Sequence, residues 1–193
     1  MTKICLGTTR VAPKRWIALA LETQTGKLVA CTSSEKSEKE AKKHLKSALY
    51  RLRRLDDLDE THESSQVQLL GSRLAELLEG KGQPFSLKEI SPRNWSSARL
   101  VISKNLLKVP RGKAISYGGL AAQSTSSPRG VGSVMRTNPV PWAIPCHRVI
   151  HSDGRLGKLG GTISGTKEKA RMLRAEGVLF NRDGTVNHES IVG

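Results

Sequence analysis

The run from Asn138 to Ile150, Asn-Pro-Val-Pro-Trp-Ala-Ile-Pro-Cys-His-Arg-Val-Ile, constrains this chain more than any other stretch. Pro139, Pro141 and Pro145 each fix a backbone dihedral, so the apolar segment is braced and can hold Cys146 in one place. The thiol is followed directly by His147 and Arg148. A reacting cysteine must be a thiolate; free cysteine titrates near pH ~8.5, and imidazole or cationic neighbours lower that value. The triplet therefore reads as an activating environment for Cys146. The competing reading, a cysteine that is simply buried behind an apolar run, stays open on local chemistry alone.

The two halves of the chain differ. Trp16 to Leu21 and Leu28 to Thr32 are short apolar runs separated by a turn that contains Gly26, the pattern of a hairpin. From Ser37 to Leu55, Ala41, Leu45, Ala48, Leu49 and Leu52 recur at helical spacing, with Lys and Arg on the other face. Residues 56–63 are acidic and read as a loop. A second helix runs from Ser65 to Glu79 and stops at Gly80-Lys81-Gly82, after which Phe85 to Leu87 is expected as a short strand. Beyond Ser91, Trp95 to Val109 predicts a helix with Leu100, Ile102, Leu106 and Leu107 as its apolar set. Ser116 caps a short helix from Tyr117, and Ser127 caps another with Pro128 at its first position. These two, joined by Gln123 to Ser126, have the outline of a helix-turn-helix. On the second, Val131, Val134 and Met135 share one face, while Arg129, Gly130 and Ser133 share another that is small enough for close approach to a narrow groove.

At 193 residues the chain suits two domains, 1–90 and 91–193. The formal net charge is +15. Residues 1–90 hold 16 basic and 12 acidic side chains, and residues 91–193 hold 16 and 5, so most of the excess, +11, travels with Cys146. A localised basic excess points to nucleic acid through phosphate neutralisation. No long apolar helix, signal peptide or lipidation motif supports a membrane partner, and the expected compartment is nuclear in a eukaryote or cytoplasmic in a prokaryote. Cys5, Cys31 and Cys146 are odd in number and unpaired by motif, which argues for a reducing compartment. Cys5 and Cys31 with His44 or His62 are a conceivable zinc set, but the spacing fits no standard ligand signature; no metal and no cofactor are expected.

Ile115-Ser116-Tyr117, Arg129, Met135-Arg136-Thr137-Asn138-Pro139-Val140-Pro141, Pro145-Cys146-His147-Arg148-Val149-Ile150 and Glu176-Gly177 together resemble, in order and spacing, the O6-alkylguanine-DNA alkyltransferase family. The resemblance implies an α/β two-domain fold. A ribonuclease-H-like N-terminal domain would precede a mainly helical, winged-helix-like C-terminal domain with a helix-turn-helix. It also implies direct, single-use transfer of an alkyl group from guanine O6 to Cys146. In that reading His147 acts as base, Glu176 orients it, Tyr117 assists the departing guanine and Asn138 braces the turn into the active site. Arg129, Gly130, Ser133, Arg136 and Arg148 would contact DNA; Arg129 would fill the space left by a flipped nucleotide. Tyr117, Met135, Pro141, Cys146, Val149, Gly157, Leu159 and Gly160 would surround the base, with the carbonyls of Cys146 and Val149 reading its amino group. The implied partner is double-stranded DNA containing O6-alkylguanine, approached by a monomer from the minor groove with little sequence preference. Leu159 departs from the family, which usually has a pocket tyrosine there. The rival readings are an alkyltransferase-like damage sensor without transfer, a basic structural DNA-binding protein, and a thiol hydrolase, for which no oxyanion-hole signature is evident.

Overall fold

The computed structural model describes residues 3–53, 58–59, 65–158 and 163–193. The chain divides into two compact units. One comprises Met1–Leu77, Gly82–Trp95 and Pro139–Ala143; the other comprises Leu78–Lys81, Ser96–Asn138 and Ile144–Gly193. The crossing at Trp95 and Ser96 lies slightly beyond the expected boundary, and the two short exchanged segments were not visible in the sequence pattern.

The first unit is built on β1 (Ile4–Ala12), β2 (Arg15–Glu22), β3 (Leu28–Ser34) and β4 (Leu58–Asp59), in spatial order β3-β2-β1-β4. The first three strands are antiparallel neighbours, and β4 pairs parallel to β1. The hairpin β2–β3 closes at Gly26, at φ 65°, as its sequence predicts. Strand β1 escaped prediction because Gly7 to Arg10 breaks the apolar alternation, and β4 lies inside the stretch expected as a loop. Alternate strand residues Ile4, Leu6, Ala18 and Ala20 pack with Ala41, Leu45, Ala48 and Leu49 of α1 (Glu38–Arg51), whose Ser37 cap accepts from the Glu40 amide. Residues Ser65–Leu78 form α2. Gly7 lets it approach β1 closely: a Cβ there would collide with Val67. Phe85 to Leu87 is not a strand; a 3-10 turn forms at Leu87–Glu89 instead, fixed by Glu89 bonding back to the amide and hydroxyl of Ser86. The segment Pro139–Ala143 is tied to β3, where the Cys31 amide donates to the Pro139 carbonyl at 2.8 Å. Within it buried Trp142 sits at φ 70°, a left-handed conformation that is uncommon for a bulky residue.

The second unit contains α3 (Ser97–Leu106), β5 (Ala114–Ser116), α4 (Tyr117–Gln123), α5 (Pro128–Arg136), β6 (Val149–Ile150), α6 (Ile163–Ala175) and β7 (Ile191–Val192). Its short sheet is parallel, in order β6-β5-β7. In α3, Ile102 and Leu106 are buried, whereas Leu100, expected in the apolar set, is 40% exposed. The caps of α4 and α5 form as the sequence predicts: Ser116 accepts from the Gly119 amide and Ser127 from that of Gly130. Asn105 fastens the turn between these helices through the Gln123 carbonyl and the Ser124 hydroxyl. Sequence periodicity did not reveal α6. Among the described residues, no helix is long and apolar enough to cross a membrane.

Candidate active site

Every geometrically described element of the site belongs to the second unit. Pro145, at φ −77° and ψ 62°, turns the chain into a single 3-10 turn, Cys146–Arg148, that feeds β6. The Cys146 amide donates to Ile144 O at 2.7 Å, and that of Arg148 donates to Pro145 O at 2.9 Å. The Asn138 amide side chain donates to Ile144 O at 3.0 Å and also bonds the Cys146 thiol. It thereby ties the end of α5 to the entry of this turn. All three residues of the turn are buried.

Glu176 follows the last residue of α6 and organises the pair after the thiol. Its Oε1 accepts from His147 Nε2 at 2.9 Å and from Arg148 Nη2 at 2.9 Å, and its Oε2 accepts from Arg148 Nε at 2.8 Å. A carboxylate at a helix C-terminus opposes the helix dipole, so the buried guanidinium is needed to hold it. Burial alone would raise the Glu176 carboxyl, but the bonds from His147 and Arg148 carry it down to about 2. Arg148 is therefore corrected: it was expected on DNA, but it is buried and its remaining donor, Nη1, bonds Val109 O at 2.7 Å.

An ionised Glu176 accepting from Nε2 fixes the His147 tautomer, leaving Nδ1 as a lone-pair acceptor. Buried Nδ1 has no protein partner among the described residues. Burial pushes the imidazole below its ordinary value, Arg148 and Lys169 reinforce this, and Glu176 opposes it. His147 is thus held neutral, with Nδ1 as its acceptor. The Cys146 thiol does not behave as its immediate sequence suggests. Burial pushes it up, and the influences pulling it down are Asn138, Lys169 and the amides of Cys146 and His147. The activating cation is not Arg148, whose charge is committed to Glu176.

Lys169, which sequence reasoning did not single out, supplies that charge. Only 1% of it is exposed, its Nζ donates to Val149 O at 2.5 Å, and no carboxylate pairs with it among the described residues. Burial lowers its ammonium to about 8, while Cys146 pulls in the opposite direction. A signal was available: Lys169, Met172 and Leu173 share one face of α6 at i, i+3, i+4 spacing, and Glu176, at i+7 just past its end, continues that face. Half-buried Tyr117 directly follows β5. Burial and the nearby Cys146 both raise its phenol, keeping it a hydrogen-bond donor.

Residues 98–178 match the family described as 6-O-methylguanine DNA methyltransferase, DNA binding domain. Over those residues the chain is similar to the O6-methylguanine-DNA methyltransferase family. Proteins named methylated-DNA--protein-cysteine methyltransferase are similar to it. That of Saccharolobus solfataricus is 38% identical over 98 residues, 51% of this chain and 62% of the relative. That of Methanothermobacter thermautotrophicus is 46% identical over 70 residues, 36% and 38% of the two chains. The match thus spans less than two thirds of these relatives. In overall fold, the crystal structure of O6-methylguanine-DNA methyltransferase from Pyrococcus kodakaraensis superposes with TM-score 0.66 at 25% identity, covering 91% of this chain and 99% of that one. OGT of Mycobacterium tuberculosis, solved in complex with DNA, gives TM-score 0.57 at 22% identity over 89% and 92%.

The remaining residues expected from the methyltransferase resemblance fall into three groups. Arg129, Ser133 and Arg136 are exposed on α5 and Gly130 is half-buried, whereas Val131 and Met135 face inward. Arg99 secures the end of this helix by donating to the Thr137 carbonyl at 2.8 Å and its hydroxyl at 2.7 Å. Val149 is buried, and Gly157 is half-buried at φ 67°. Pro141 belongs to the first unit, where its carbonyl accepts from the Cys31 thiol. Leu159 and Gly160 lie outside the described residues, as does His62 of the conceivable zinc set. Of that set, Cys5 and Cys31 are buried thiols and His44 pairs with Glu40; among the described residues, no three potential ligands gather.

Proposed function

We propose that this chain repairs DNA by direct reversal, moving a methyl or larger alkyl group from guanine O6 to Cys146. The observation that carries the reading is the buried triad of Cys146, neutral His147 with Nδ1 open, and ionised Glu176, held within one family-matched unit. His147 accepts the thiol proton at Nδ1 by way of a bridging water, and Lys169 offsets the charge of the thiolate. The sulfur then attacks the alkyl carbon, the carbon–oxygen bond breaks and its electrons stay on the guanine. Tyr117 donates a hydrogen bond to the departing base. The product is a thioether, a poor leaving group, so each chain acts once. O6 is out of reach inside stacked DNA, so the nucleotide must rotate out, at a cost of roughly a few kcal/mol. The exposed, small-residue face of α5 suits the minor groove, with Arg129 filling the vacated stack.

The test is intact-mass measurement and peptide mapping after incubation with a duplex carrying one O6-methylguanine. One methyl on the Cys146 peptide, saturating at one per chain, is expected, and Cys146→Ala should bind the duplex without gaining mass. An unchanged wild-type mass with preferential binding of the damaged duplex would replace transfer by damage sensing.

A further inference from the structure

The register of the short sheet pairs Ser116 of β5 with Ile150 of β6, so the residues that follow, Tyr117 and His151, emerge side by side. Their ring centroids are 5.4 Å apart and the planes are tilted by 53°. The backbone of His151 is closed into a turn: its amide donates to Arg155 O at 2.9 Å, and its carbonyl accepts from the Gly154 amide at 3.1 Å. Gly154 is itself seated, since a Cβ there would lie 2.8 Å from Val186 O. Beneath the imidazole, Gly157 presents bare backbone; a Cβ there would lie 2.9 Å from Nε2. The neighbouring charges, Asp153 and Arg155, are paired with each other at 2.6 Å. His151 is thus a ring fixed by the fold on two sides, yet exposed. Tyr117, which it touches, interacts electrostatically with Cys146. Two other rings of the unit are engaged elsewhere: His147 bonds Glu176, and Arg174 covers Phe180 at 4.4 Å.

We propose that His151 is a specificity-determining residue whose ring, held against Tyr117, is a wall against which the everted guanine stacks. This rests on the alkyl-transfer reading above. Every base has a π-face, so such a wall binds the purine whatever its neighbours in the sequence. It also leaves O6 free to point toward the thiol.

The experiment compares dissociation constants of the full chain, in a Cys146→Ala background, for a duplex with one O6-methylguanine and the same duplex undamaged. His151→Ala should reduce the preference for the damaged duplex about tenfold, and His151→Phe should keep it within about twofold. An alanine variant with full preference, a phenylalanine variant as poor as alanine, or a parent with no preference would each overturn the wall. Methyl gain by the unsubstituted chain, read separately by mass, decides the transfer reading, so the two failures are distinguishable.

Discussion

At the scale of the residue, Lys169 and Arg148 exchange the roles their positions suggest. Arg148 adjoins the thiol in sequence but neutralises Glu176 and bonds a backbone carbonyl; Lys169, far along the chain, is the buried cation that Cys146 senses. Adjacency in sequence misled because the 3-10 turn buries Cys146, His147 and Arg148 together, so what each touches is decided by α6. Lys169→Met should therefore slow alkyl transfer at neutral pH about ten- to hundredfold and move the rising limb of the pH–rate profile upward by about one unit, since one unit is worth about 1.4 kcal/mol. Single-turnover rates measured across the neutral to alkaline range check this. An unchanged limb would show that the lysine only supports the Val149 carbonyl.

At the scale of the element, legibility followed local chemistry. Ser116, Ser127 and Pro128 are start signals written in one or two residues, and both helices begin where they predict. The hairpin and α1 were equally plain. Strand β1 was not, because Gly7 serves the packing of α2 rather than the pattern of its own strand, and α6 was not, because Lys169 puts a charged residue on its buried face. Around the thiol, the resemblance named Cys146, His147, Asn138, Tyr117 and Glu176, but their electrostatics, which depend on burial, were not legible in the sequence. Helix α5 carries its own prediction. Arg129→Ala should lower transfer from duplex DNA about ten- to hundredfold while leaving reaction with free O6-benzylguanine within about twofold, because only the duplex requires a nucleotide to be flipped. Paired single-turnover assays on the two substrates decide it; equal losses would remove Arg129 from the flipping step.

At the scale of the whole molecule, the buried Glu176 network links the site to acid stability. The folded carboxyl is held down at about 2 against an ordinary value of 4.5. A depressed carboxyl contributes stability that is present above its unfolded value and is lost as pH falls toward its folded one; depressed His147 acts in the same direction from higher pH. Denaturant midpoints should thus fall on acidification, steepening below about pH 4.5. Glu176→Gln should flatten that acid limb and cost about 3–5 kcal/mol at neutral pH, as the loss of one partner from a buried pair does. A variant with the wild-type acid dependence would place the lost protons elsewhere.

The exchange of Pro139–Ala143 into the first unit and Leu78–Lys81 into the second has a consequence for how such a chain can be rearranged. A single cut at the Trp95–Ser96 crossing does not release a self-contained catalytic piece: it strips the β3 backbone from the prolines that lead into Cys146. The chain is stitched rather than strung. Because each unit takes a segment from the other's stretch of chain, moving either one needs more than one junction, so the two halves are expected to be inherited, and engineered, as one module.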